Sequence, residues 1–165
     1  MAFMIARRSF VLLALAACSR APRFLDYNGP EVTQIRVYKT ERRMELMHDA
    51  EVLRSYDIGL GFAPAGHKQR YGDGRTPEGE YTIDRRNPQS LYHLSLGISY
   101  PNEQDRARAE AAGEDPGGDI FIHGRGRGNR FVRGDWTVGC IAVTDSEIEE
   151  IYSMVQTGTP IVIYP

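Results

Sequence analysis

The stretch that decides the reading runs from Asp119 to Thr144, DIFIHGRGRGNRFVRGDWTVGCIAVT. A short apolar run, Ile120 to Ile122, delivers His123 into a loop of glycines and arginines. Seventeen positions later, Thr137-Val138-Gly139 places Cys140 just ahead of a second apolar run, Ile141-Ala142-Val143. Read physically, these are two strand ends, one carrying a base and the other a thiol, joined by a long loop. The thiolate is the reactive form of cysteine and a neighbouring imidazole can generate it, so this pair is the minimal nucleophile and base for acyl transfer. Gly139, without a Cβ, lets a substrate approach the backbone and can take the dihedrals that aim N–H groups at an oxyanion. The bland alternative is a core cysteine and an unrelated loop histidine.

The residues around the pair argue against that alternative. His123-Gly124, an intervening loop and Thr137-Val138-Gly139-Cys140 together resemble the signature of the L,D-transpeptidase catalytic domain (YkuD type): His-Gly, then Ser/Thr-x-Gly-Cys. The resemblance implies that Cys140 attacks a peptide carbonyl of a peptidoglycan stem peptide and that His123 is the base. Thr137 and Gly139 would shape the nucleophile loop, with Gly139 at the oxyanion. The backbone carbonyl of Gly124 would orient the imidazole, which needs no carboxylate in the triad; Asp135, the rival orienter, reads as a loop-shaping residue. Arg75-Thr76-Pro77-Glu78-Gly79-Glu80-Tyr81 resembles the Thr-Pro-x-Gly-Phe/Tyr element that stands beside the active site in this family. Arg75, Thr137 and Trp136 are therefore expected at the substrate.

The same resemblance covers residues 33–165 and implies a mainly β fold, a small sandwich or barrel with one or two surface helices. The reaction expected is acylation of Cys140, then transfer to an amine of another stem peptide or of a wall-linked lipoprotein. Val138 stands where His or Arg is common in the family, and Ala142 where Arg or Asn often follows the cysteine. These departures leave two alternatives: a peptidase that hydrolyses such bonds, and a non-catalytic, wall-binding lipoprotein. The protein is expected to be a monomer.

Composition agrees with a folded domain. The chain has 165 residues, 41% hydrophobic and 25% charged, with 17 Gly, 9 Pro and 9 Tyr, a balance that favours strands and turns over disorder. A formal net charge of −2 gives no general case for nucleic-acid binding. The histidines and cysteines show no paired metal-ligand spacing, and no cofactor is expected.

Residues 1–17 carry Arg7-Arg8, an apolar run from Phe10 to Ala17 and then Cys18, the pattern of an export signal too short to span a bilayer. Leu15-Ala16-Ala17-Cys18 resembles a lipobox, with Cys18 the lipidated residue, and Arg7-Arg8-Ser9-Phe10 resembles a twin-arginine signal. Residues 18–32 read as the lipid-anchored tether. The expected location is the periplasmic side of the cell envelope, with Ser19 favouring the outer membrane. Of the 2 cysteines, acylation would use one, leaving Cys140 as a lone thiol in an oxidising compartment.

The rest of the chain supplies the frame. Alternation predicts strands over Gln34–Lys39, Arg43–Met47, Glu51–Ile58, Tyr81–Arg85 and Leu91–Leu96, and a last one over Ile161–Tyr164. Gly59 to Gly79 reads as a long functional loop, in which His67, Lys68 and Arg75 are either solvated or face a substrate carboxylate. Asn102–Ala112 predicts a polar surface helix without apolar anchors. Thr144-Asp145-Ser146-Glu147 is a capping box opening a helix to about Val155, with Ile148, Ile151, Tyr152 and Val155 on one face. His93 is a second candidate base, without a flanking glycine.

Overall fold

The computed structural model describes residues 21–165; the expected export signal and the expected lipidation at Cys18 lie outside the described residues. The chain forms β1 (Gln34–Tyr38), β2 (Arg43–His48), β3 (Glu51–Asp57), β4 (Gly79–Asn87), β5 (Ser95–Ile98), α1 (Glu103–Ala112), β6 (Phe121–His123), β7 (Ile141–Ala142), α2 (Asp145–Met154) and β8 (Pro160–Tyr164). The strands make one sheet in the order β3-β2-β1-β8-β4-β5-β6-β7. Most pairings are antiparallel; β1 with β8 and β6 with β7 are parallel. β4 joins two halves, pairing with β8 through Gly79–Thr82 and with β5 from Ile83 onward, where a bulge bends it. Such bulges turn a flat ladder into a curled one.

The curl brings the two ends of the sheet together. Just after β3, Gly59 exchanges both backbone hydrogen bonds with Ala142 of β7 at 2.8 Å, so the half-barrel closes at the nucleophile strand. The mainly β expectation is correct.

Inside lie the alternating residues of the strands: Ile35 and Val37, Met44 and Leu46, Tyr81 and Ile83, Leu96 and Ile98, Ile122, Ile141, Ile161 and Ile163. α2 covers one side of this core with Ile148, Ile151, Tyr152 and Val155 buried, and its capping box is made as expected, Thr144 N–H donating to Glu147 at 2.7 Å. Of the expected tether, Arg23 and Phe24 meet this helix, and the Glu31 carbonyl meets His48 at the end of β2. Arg23 N–H donates to Glu149 at 2.9 Å and the Phe24 ring meets Tyr152 edge-on.

Two sequence expectations need correction. The strand placed at Leu91–Leu96 begins at Ser95 and runs to Ile98; His93 takes φ +79, which ends extended backbone, and Leu91 points to solvent at 93% exposure. The polar helix α1 is on the surface, but its anchor is a buried carboxylate. Asp105 accepts from Tyr81 Oη at 2.9 Å and from the Asn102 N–H of its own capping box, and His67 Nε2 lies 3.0 Å from its Oδ1.

Candidate active site

β6 and β7 pair in parallel with Ile122 opposite Ile141 and His123 opposite Ala142, so Cys140, one residue before β7, stands abreast of Phe121. Ile122 and Ile141 are both wholly buried in the core. Strand alternation then turns Phe121, His123, Cys140 and Ala142 to the other face, where base and thiol share one surface.

His123 is 3% exposed. Its Nδ1 lies 2.5 Å from the Gly124 carbonyl, and a carbonyl can only accept, so Nδ1 carries the proton and Nε2 is left bare. The ring is stacked on Tyr92 at 4.4 Å between centroids and met edge-on by Trp136 at 5.7 Å. Burial lowers its pKa, only partly offset by the bond to Gly124. Gly124 sits where a side chain would not fit: a Cβ would come within 2.7 Å of an Asp145 carboxylate oxygen and 2.8 Å of the Tyr92 carbonyl.

Cys140 is a free thiol at the edge of this surface. Its Sγ donates to the Asp119 carbonyl at 3.5 Å, and among the described residues no hydrogen bond joins it to the imidazole. Burial raises the thiol pKa, against the opposing effect of the Phe121 N–H. Both directions favour the neutral forms, a thiol and an imidazole.

The turn before Cys140 is tied from within. Thr137 Oγ1 donates to the Cys140 carbonyl at 2.7 Å and accepts from Gly139 N–H at 3.2 Å. Thr137 also pairs with the chain after β3, donating to Leu60 O and accepting from Phe62 N–H. Gly139 takes φ +133, and a Cβ there would meet the Arg75 carbonyl at 2.6 Å. The Gly139 N–H is spent on Thr137, which leaves the Cys140 N–H as the candidate oxyanion donor.

The remaining sequence candidates fall in different places. Trp136 borders the imidazole. Arg75 touches Gly139 through its backbone, while its guanidinium points at the His67 carbonyl 3.5 Å away. Asp135 is engaged elsewhere, accepting from Arg42 at 2.8 Å and from Leu60 N–H at 2.9 Å, as fits a loop-shaping residue. His93 is paired with Glu149 at 2.8 Å, both nearly buried. His67 and Lys68 both have partners within the fold, and the Lys68 charge still acts on the Cys140 thiol, favouring the thiolate. His67 accepts from Glu78 N–H and holds Asp105, while Lys68 holds Asp73 at 2.9 Å, both inside the loop.

Sequence reasoning missed the cleft beside the thiol. A cavity of about 750 Å³, open to solvent, is lined by Tyr71, Arg85, Tyr100, Arg106 and Asp119, the residue whose carbonyl holds Sγ. Its arginines come from strand β4 and helix α1, remote from the signature, and only the curl of the sheet brings them there. Phe62, which pairs with Thr137 through its N–H, and Val138, in the turn before Cys140, are exposed apolar side chains, as is Phe131 in the loop after His123. Among the described residues no group of three or more His, Cys, Asp or Glu side chains is placed to hold a metal ion.

With this geometry in view, the comparisons define the class. The family model of the L,D-transpeptidase catalytic domain (YkuD) matches residues 33–163. The chain belongs to the L,D-transpeptidase catalytic-domain family. YafK of Escherichia coli (strain K12) is 31% identical over 145 residues, 79% of this chain and 53% of that protein. The chain thus spans about half the length of the curated relatives it matches. The crystal structure of Pgp2 from Campylobacter jejuni, a helical cell shape determining protein, superposes with a TM-score of 0.60 at 24% identity, over 87% of this chain and 51% of that one. An L,D-transpeptidase from Mycobacterium smegmatis gives 0.55 at 15% identity, over 81% and 59%. At these identities the two structures speak for the fold.

Proposed function

We propose that the chain is an L,D-transpeptidase in which Cys140 is acylated by a peptidoglycan stem peptide and His123 moves the proton. The observation that carries this reading is the 2.5 Å contact between His123 Nδ1 and the Gly124 carbonyl, which leaves Nε2 bare on the face that bears Cys140. With the neutral forms favoured, the thiol is deprotonated as it attacks. Cys140 rotates about χ1 from the Asp119 carbonyl towards the imidazole, a move between staggered wells. Nε2 takes the Sγ proton, an S–C bond forms, and the carbonyl oxygen becomes an anion facing the Cys140 N–H. Collapse breaks the C–N bond, and the leaving amine takes the proton from the imidazolium. An acceptor amine then attacks the thioester, gives its proton to Nε2 and expels the thiolate, which is reprotonated.

Arg106, which forms no ion pair among the described residues, supplies a cation for a carboxylate on the donor peptide, whereas Arg85 is already paired with Asp84 and Asp119; Thr137 and Trp136 border the reacting carbonyl. We assign the expected lipidation to Cys18 and the working place to the cell envelope, consistent with the basic, apolar leader. Membership of the family supports stem peptides as substrates, and likeness to Pgp2 is consistent with a part in cell shape. Incubation of the domain with purified murein fragments, with and without an amine acceptor, tests the reaction. Transfer predicts a new amide whose mass includes the acceptor; release of a free carboxylate in the presence of acceptor would make the enzyme a hydrolase, and no product with either would contradict both.

A further inference from the structure

A second cavity, of about 300 Å³, lies at the N-terminal end of α2 and is lined by His93, Arg125, Arg130, Asp145, Ser146 and Glu149. Its volume falls at the small end of ligand pockets, the size of an amino acid. The charges around it are mixed: His93 is paired with Glu149 at 2.8 Å, but the arginines are not paired with the carboxylates. Among the described residues neither Arg125 nor Arg130 forms an ion pair with a carboxylate, although Asp145 and Glu149 share the cavity with them.

The accounts of these groups are incomplete in a complementary way. Arg125 gives one terminal nitrogen to the Val132 carbonyl, while its Nε is buried without any partner, the one such side-chain atom among the described residues. With Nε enclosed, the other terminal nitrogen, which makes no hydrogen bond among the described residues, is the donor that an acceptor in the cavity can meet. Asp145 uses only Oδ1, which accepts from the N–H groups of Arg125 and Gly126 at 2.7 and 2.9 Å. Glu149 uses only Oε1, shared by His93 Nε2 and the Arg23 N–H. The cavity therefore presents cationic donors and one unused oxygen on each of two carboxylates.

We infer that this cavity binds the zwitterionic head of an α-amino acid, its carboxylate on Arg125 and Arg130 and its ammonium on the free oxygens of Asp145 and Glu149. A simple anion would meet the two carboxylates and a simple amine the two arginines, so only a ligand carrying both charges suits every wall. The site is separate from the thiol and imidazole. It adjoins them through one peptide, since the amides held by Asp145 directly follow Gly124.

The test is titration of the full chain carrying Cys140→Ala with alanine, followed through backbone amide resonances of Gly124, Arg125 and Ser146. That variant cannot form a thioester, so the outcome is independent of whether the chain is a transpeptidase. The expected result is a saturable shift of those amides by alanine, weaker responses to acetate and to methylammonium at equal concentration, and an affinity for alanine lowered about tenfold by Arg130→Gln, a solvent-exposed change that spares the core. The absence of a saturable shift, a response to acetate as strong as to alanine, or an unchanged affinity in Arg130→Gln would each overturn the assignment.

Discussion

At the residue scale the decisive feature is how each polar group near the thiol is used. His123 has one nitrogen fixed by a carbonyl and the other bare, while Asp135, closer in sequence to Cys140, is consumed by Arg42 and Leu60. Asp135→Asn should therefore lower stability by about 1 kcal/mol, discounted for the partly exposed arginine, and should leave acylation within a few-fold of the parent. Thermal unfolding alongside an acylation rate checks this; a loss of rate as deep as in His123→Ala would make the carboxylate the orienting group. Gly139 admits no side chain for two reasons, its φ of +133 and the Arg75 carbonyl 2.6 Å from a Cβ position. Gly139→Ala should cost about 2 kcal/mol or more and displace the nucleophile turn. Normal stability and activity in that variant would contradict the packing described. The raised thiol and lowered imidazole also predict a pH profile. Alkylation of Cys140 should rise with an inflection above the ordinary thiol value, since the protonated form persists to higher pH. An inflection near neutrality would indicate a standing ion pair instead.

At the element scale, the loop between β3 and β4 carries the back wall of the site and is held by buried charges. Lys39, 2% exposed, donates to the Gly66 and Thr76 carbonyls and to Glu78. Lys39→Met should leave two carbonyls and a carboxylate unpaired, costing about 3 kcal/mol, which chemical denaturation would measure. Asp73 gives this loop an acid limit. Burial alone would raise its pKa, but Lys68 and the N–H groups of Gln69, Arg70 and Arg75 hold it down at about 2. A carboxyl depressed in the folded state contributes stability above its unfolded value, about 3.9, and that contribution is lost as pH falls through the folded value. Amide protection over Gly59–Gly79, relative to the unfolded chain at the same pH, should thus fall between about pH 4 and pH 2, and Asp73→Asn should remove this dependence. Protection that falls equally in both proteins would place the acid-sensitive group elsewhere.

At the scale of the whole molecule, what was legible in the sequence follows from distance along the chain. The His123 and Cys140 strand ends, the α2 capping box and the first three strands are written in short spacings, and each is where its pattern puts it. What escaped depends on closure of the curled sheet. Gly59 and Ala142 meet across the barrel, and Arg85 and Arg106 reach the cleft beside Asp119 from separate elements. Polar residues were the other blind spot. Lys39, Lys68 and Asp105 are residue types ordinarily left in water, whereas their partners lie up to 39 residues away and bury them. The proposed lipidation of Cys18 belongs to this scale as well. Cys18→Ser should release the protein from membrane fractions, and a protein found in the cytoplasm with its leader intact would defeat the envelope assignment.

The central claim is tested most directly by the mass of the intact domain after exposure to a stem-peptide donor or an acylating β-lactam. The account predicts a single covalent adduct on the parent chain, none on Cys140→Ala, and on His123→Ala a slow adduct that accelerates in alkali, where hydroxide partly replaces the missing base. An adduct that persists in Cys140→Ala, or one that forms at the parent rate in His123→Ala, would contradict it.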